Sequence, residues 1–78
     1  MMSLGKAIHN ARIAKGWSPQ QLALLTGLQP KHIRTLEQDK RLPTWPTIAA
    51  LAAALDLDLN TLAWEWDRMH RTEVRDGQ

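Results

Sequence analysis

Apolar side chains recur along the 78-residue chain at helical spacing, in short blocks separated by glycine, proline and small polar residues. Leu4, Ile8 and Ala11 stand at i, i+4 and i+7, which puts them on one face of a helix over residues 4–15. Gly16 follows as a left-handed stop. The next block starts sharply. Ser18 is an N-cap, Pro19 sits at the first helical position, and Gln21 completes a capping box, while Trp17 and Leu22 form a hydrophobic staple. This predicts a helix over 19–26, ended by Gly27.

The pattern then repeats. Gln29 takes the cap position, Pro30 the first turn, and Leu28 with Ile33 the staple, for a helix over 30–38. Asp39 stands where a left-handed residue is expected. After the loop 39–43, Thr44 is the predicted cap of an alanine-rich helix over 45–55. Leu57 and Asp58 repeat the staple and cap, with Leu62 as the fourth helical residue of a helix from Leu59 to about His70. Residues 71–78 are polar and predicted to fray as a flexible tail. No stretch alternates with period two, and there is no valine-rich or Phe/Tyr-rich run, so no strand is predicted. The expected fold class is all-α with five helices. Residues 1–70 form one domain and 71–78 its tail.

Two short helices joined by the tight turn Thr26-Gly27-Leu28-Gln29 make a helix-turn-helix pattern. With Lys31 at the centre of a face, Arg34, Thr35 and Gln38 fall within about 60° of it. Ile33 and Leu36 fall on the opposite side, together with Glu37. A row of Lys, Arg, Thr and Gln suits a DNA major groove. Arg and Lys pair with guanine O6 and N7, Gln pairs with adenine, and a Thr methyl touches the thymine methyl. An ordinary amphipathic helix with a wet face has the same pattern. The capped helix before it and the local charge favour the DNA reading. The N-terminus of the 19–26 helix attracts phosphate through its N–H groups and dipole, with Ser18, Gln20 and Gln21 alongside. Lys40 and Arg41 follow in the loop and face the backbone of the same duplex. His32 completes the candidate DNA-binding set of Ser18, Gln20, Gln21, Lys31, His32, Arg34, Thr35, Gln38, Lys40 and Arg41.

Charge strengthens this reading. Residues 1–48 hold seven Lys/Arg against two acidic residues, whereas residues 49–78 hold three against six, so the net charge of +2 hides a basic half. Other classes recede. With no cysteine there is no disulfide scaffold, thiolate zinc site or thiol nucleophile. His9, His32 and His70 lack metal-ligand spacing, and no nucleophile–base set or phosphate-binding glycine loop is present, so no enzyme, metal or cofactor is expected. The longest uncharged apolar stretch, 42–55, holds two prolines and is too short to span a bilayer, and no signal peptide is read at the N-terminus. A cytoplasmic protein without membrane contact is expected.

The ordered set Leu4-Gly5-Lys6, Ile8, Arg12, Gly16-Trp17-Ser18, Gln20-Gln21-Leu22-Ala23, Gly27-Leu28, Ile33, Leu36-Glu37, Lys40-Arg41, Pro43, Leu51-Ala52, Ala54-Leu55, Leu59 and Leu62 resembles the Xre family of bacterial and phage regulators, the lambda-repressor-like helix-turn-helix domains. The resemblance spans residues 4–62. It implies a five-helix domain that binds a two-fold operator as a homodimer, close to the nucleoid of a bacterium or on phage DNA. It also implies that Arg12 and Glu37 form a structural ion pair between the first and third helices. Three positions depart from the family. Pro19 replaces a glutamine that commonly touches DNA, Gln29 replaces a Ser or Thr cap, and Pro30 stands where a base-reading side chain is often found. These departures bear on sequence preference rather than on the fold.

The chain has four tryptophans and no Phe or Tyr. On the fifth helix Trp66 and Met69 share the stripe of Leu59 and Leu62, whereas Trp64 points to the other side. Trp64, with Arg68 beside it, is read as a dimer contact, the alternative being cover from the tail. Trp45 is read as a core lid or an interface residue. Two functions are therefore carried forward. The first is a DNA-binding transcriptional regulator, a repressor or autoregulator, whose recognition helix over 30–38 enters the major groove. The second is a protein-interaction module, an antitoxin or adaptor that keeps the fold while binding a toxin or another regulator.

Overall fold

The structure is a computed structural model that describes the backbone of residues 3–76 and the side chains of residues 3–64 and 66–68. Five helices follow one another: α1 (Leu4–Ala14), α2 (Pro19–Thr26), α3 (Pro30–Glu37), α4 (Trp45–Leu55) and α5 (Leu59–Asp76). Among the described residues there is no strand. The five-helix, all-α expectation holds. The helix α5 continues six residues past the predicted end at His70, and Met69 lies outside the described side chains.

Local chemistry sets most helix ends. Ser3 Oγ accepts from the Lys6 N–H at 3.1 Å and caps α1. Ser18 Oγ accepts from the Gln21 N–H at 3.2 Å, and Gln21 Oε1 accepts from the Ser18 N–H at 2.8 Å, which completes the predicted capping box. Gly27 closes α2 at φ +77°, and Gly16 follows α1 at φ +72°. Gln29 makes no side-chain cap bond, in keeping with its poor capping chemistry. Thr44 differs from its predicted role. It holds the cap position of α4, yet its hydroxyl pairs with the Thr47 hydroxyl at 3.1 Å instead of a backbone N–H. Asp58 accepts from the Asn60 N–H at 3.0 Å at the start of α5.

The core is built from the inward stripe of each helix. Leu4, Ile8, Leu22, Ile33, Ile48, Leu51 and Leu62 are the largest fully buried side chains, with Leu36 and Leu55 beside them. Each contributes about 1.5–3 kcal/mol by leaving water. The helix α3 packs against α1 and α2, and the alanine-rich α4 packs against α1, α2 and α5. Leu59, placed on the inward stripe by periodicity, is 41% exposed because it lies on the first turn of α5. Trp66 lies partly buried against the core and donates from Nε1 to the Pro43 carbonyl. Trp45 meets it edge-on at 5.9 Å, so Trp45 is a lid over this corner.

Two joints tie distant segments. Gly5 meets the end of α3 so closely that a Cβ there would lie 2.5 Å from the Leu36 carbonyl oxygen and 2.7 Å from that of Glu37. The Gly5 N–H donates to Asp39 Oδ1 at 2.9 Å, and Asp39 reaches it from a left-handed backbone at φ +57°. The second joint is Lys15 Nζ to Asp56 Oδ2 at 2.8 Å, with Asp56 at φ +55° closing α4. Lys15 holds the Asp56 carboxyl below its ordinary range. Among the described residues no helix is long and apolar enough to cross a membrane.

Candidate nucleic-acid interface

The helix α3 is held from behind. Ile33 and Leu36 are 0% and 2% exposed, which fixes its rotation about its axis. Arg12 and Glu37 add a polar brace, as the family resemblance implied. Arg12 Nε donates to Glu37 Oε2 at 2.6 Å and Nη2 donates to Oε1 at 3.0 Å, a two-pronged contact. Arg12 Nη1 donates to the Trp17 carbonyl at 2.7 Å, which ties the α1–α2 turn into the same joint. Both charged side chains are only 8% exposed. Burial alone pushes the Glu37 carboxyl up, but hydrogen bonds from Arg12 and His9, with the Arg12 charge, outweigh it and hold the group below the usual glutamate range. The Arg12 guanidinium is raised by its hydrogen bond to Glu37, against the effect of burial.

With Ile33 and Leu36 inward, Lys31, Arg34 and Gln38 are exposed, and His32 and Thr35 are half-buried. The Thr35 hydroxyl donates to the Lys31 carbonyl at 3.0 Å, so its proton is used inside the helix. The outward face divides in two. Lys31, His32 and Thr35 line an open hollow of about 230 Å³ with Gln29 and with Arg41 from the following loop. Arg34 and Gln38 line a second hollow of about 410 Å³ with Lys6, His9, Arg12, Pro19 and Glu37. Lys40 and Arg41 are exposed beyond the helix. At the start of α2, Ser18 Oγ and Gln21 Oε1 are engaged in the capping box, and Gln20 is exposed with no such commitment.

Sequence reasoning left Lys6 and His9 without a role. His9 Nδ1 lies 2.8 Å from Glu37 Oε1, beside the Arg12 fork. Their i, i+3 spacing puts Lys6, His9 and Arg12 on one helix face, the only trace of this cluster in the sequence. At the far end of the chain Trp64 is 58% exposed, as periodicity predicts, with the Arg68 guanidinium 5.7 Å from its ring centre. It lines an open hollow with Asn60 and Thr61. Leu24 and Leu25 on α2 are also exposed, at 87% and 58%. Among the described residues no group of three His, Cys, Asp or Glu is placed to hold a metal ion.

A capped helix, a left-handed glycine turn and a braced second helix with a polar outer row define a helix-turn-helix domain. The family model described as "Helix-turn-helix domain" matches residues 3–64, and the chain belongs to this family. Among solved structures it is similar to the restriction-modification controller protein C.AhdI from Aeromonas hydrophila. The two share 34% identity and a TM-score of 0.71, over 76% of this chain and 89% of that one. It is also similar to SinR, a master regulator for biofilm formation solved in complex with DNA, at 26% identity and a TM-score of 0.71, over 77% and 97% of the two chains. The P22 c2 repressor, solved with a synthetic operator, shares the fold at 21% identity and a TM-score of 0.75, over 80% and 94%. No curated protein matches the sequence.

Proposed function

We infer that this chain is a sequence-specific DNA-binding regulator of transcription, a repressor or autoregulator. The observation that carries the reading is the orientation of α3. Its apolar side is buried at Ile33 and Leu36, and its row of Lys31, Arg34, Thr35 and Gln38 is turned outward. Lys31 supplies donors for guanine, Gln38 pairs with adenine, the Thr35 methyl offers a surface for thymine, and Arg34 adds a cation at the edge of the row. Gln20, Lys40 and Arg41 flank the row and suit backbone phosphates. Such a chain works where bacterial or phage DNA lies, in the cytoplasm. Its relatives by structure include a controller protein and a regulator solved on DNA.

One recognition helix reads few base pairs, so two copies on a palindromic site are the arrangement we infer. Trp64 and Arg68 on α5 are the contact surface of that homodimer. Selection of bound sites from a random duplex library tests the reading. The expected result is a motif with two half-sites spaced about one helical turn apart and occupied by two chains. Affinity should fall as salt rises. The absence of any enriched motif, with Lys31→Ala/Arg34→Ala binding duplex as well as the unaltered chain, would refute it.

A second reading rests on a separate surface. Leu24 and Leu25 are exposed on α2, and an apolar pair of this kind suits a protein partner such as a toxin or another regulator. A structure similar to this chain at 24% identity is that of a SinR/SinI protein complex. Leu24→Ser/Leu25→Ser should release such a partner while DNA affinity is kept. Equal retention of the partner by this variant would remove the second reading.

A further inference from the structure

The larger hollow beside α3 has the charges of an anion site. Lys6 and His9 reach it from α1, and Arg34 reaches it from α3. Lys6 and Arg34 are exposed and have no ion-pair partner among the described residues. The floor is Arg12 paired with Glu37. Three fixed cations therefore face one carboxylate, and Pro19 and Gln38, which complete the lining, carry no charge.

His9 sets the chemistry of this hollow. Its Nδ1 is 2.8 Å from Glu37 Oε1, and a carboxylate oxygen only accepts, so Nδ1 carries the hydrogen. The 3.3 Å approach of Arg12 Nη2 to Nδ1 is then two donors side by side on the same oxygen. With Nδ1 so engaged, Nε2 of a neutral ring is a lone-pair acceptor, which an anion cannot use. Only the imidazolium donates from both nitrogens. The ring is 44% exposed at the edge of the hollow, so a proton from solvent can reach it.

We propose that this hollow seats one phosphodiester of the bound duplex between Lys6, Arg34 and a protonated His9, so that DNA binding draws a proton from solvent onto His9 Nε2. The proposal rests on the DNA-binding reading above. The phosphate belongs to a duplex because Arg34 is shared by the hollow and the outward row of α3. A duplex lying on that row brings its backbone to the hollow. The groups facing His9 are Lys6 and Arg12 on its own helix and Arg34 and Glu37 on α3. A phosphate seated between Lys6 and Arg34 presents an oxygen to Nε2, and only a ring protonated on both nitrogens can donate to it while Nδ1 stays on Glu37, which couples protonation to binding.

The test is fluorescence anisotropy with a labelled duplex from the site selection, at fixed salt and from about pH 8 down to pH 6. The affinity of the unaltered chain should rise as pH falls. His9→Gln should lose most of that rise. Lys6→Ala, on an exposed position, should weaken binding roughly fivefold at every pH and lower the log–log salt slope by about one. A pH-independent affinity of the unaltered chain, or an undiminished pH response in His9→Gln, overturns the proposal. Should His9→Gln fail to fold, the decision passes to calorimetry of the unaltered chain in buffers of different ionisation heat. Proton uptake near zero overturns the seat, and uptake together with the Lys6→Ala loss supports it. If Lys6→Ala and His9→Gln bind as the unaltered chain does while Lys31→Ala loses affinity, the seat is wrong and the DNA reading stands. If the unaltered chain binds no duplex at low salt, both fall.

Discussion

Arg12 and Glu37, twenty-five residues apart, meet through both oxygens of the carboxylate at 2.6 and 3.0 Å. The pair joins α1 to the last turn of α3 and, through the Trp17 carbonyl, to the start of the helix-turn-helix unit. Its position explains why a carboxylate sits on the inward side of α3. The pair fixes the helix that carries the outward polar row without being part of that row.

Breaking the pair on one side leaves a buried charge alone. Arg12→Met should therefore cost about 3–5 kcal/mol in urea unfolding. Arg12→Met combined with Glu37→Leu removes both charges and should recover much of that loss. A double variant no more stable than Arg12→Met would show that the pair's geometry, rather than the orphaned charge, governs stability.

The pair also sets an acid response. Glu37 titrates below the usual glutamate range in the folded chain. A carboxyl lowered on folding adds stability that is present above its unfolded value and is lost as pH falls through the folded value. The melting temperature should therefore drop as pH is lowered from neutrality through and below the ordinary carboxylate range. Thermal melts of Glu37→Gln should start lower and show a shallower decline over the same window. A parallel decline in both proteins would assign the acid response to other carboxylates.

Gly5 is required for a close approach. A Cβ there would lie 2.5 Å from the Leu36 carbonyl oxygen and 2.7 Å from Asp39 Oδ1, and backbone at the end of α3 cannot swing aside as a side chain can. Gly5→Ala should lose about 1–3 kcal/mol, although alanine is the better helix former. Chemical denaturation measures this. A stabilised Gly5→Ala would mean that α1 and α3 separate at no cost.

Asp39 serves two purposes that substitutions can separate. It holds a left-handed backbone and accepts the Gly5 N–H. Asp39→Asn keeps the conformational tolerance and the acceptor oxygen, and should stay within about 0.5 kcal/mol of the unaltered chain. Asp39→Ala loses both and should cost about 1–2 kcal/mol in the same unfolding experiment. Equal losses in the two variants would point to the charge of Asp39 rather than its geometry.

Trp64 tests the proposed dimer. It is 58% exposed and plays no part in the core, so Trp64→Ala should leave the melting temperature of the monomer nearly unchanged. Self-association followed by analytical ultracentrifugation should weaken by at least tenfold if this ring is a central contact. An unchanged association constant would place the dimer surface elsewhere.

Much of this molecule is legible in its sequence. Ser18, Pro19, Gln21, Gly27 and Pro30 mark helix ends through bonds or dihedrals that reach only three or four residues, and such short-range chemistry is written in order along the chain. The outward turn of Lys31 and Arg34 was readable for the same reason, because burying Ile33 and Leu36 leaves one direction for the opposite face. Thr44 and Leu59 were read less well. Capping at Thr44 gave way to its bond with Thr47, and Leu59 lies at a helix start the core does not cover.

The sequence by itself determined the five helices, their order, the polar row on the third and the lack of any thiol. It contained no local trace of Gly5 pressed against the end of α3, of Asp39 reaching back to α1, or of Trp66 bonded to Pro43. These contacts join segments 23 to 34 residues apart, and they exist only once the shared core has brought the helices together. The hollow of Lys6, His9 and Arg34 is of the same kind, because its charges come from two helices whose facing is set by packing and not by spacing along the chain.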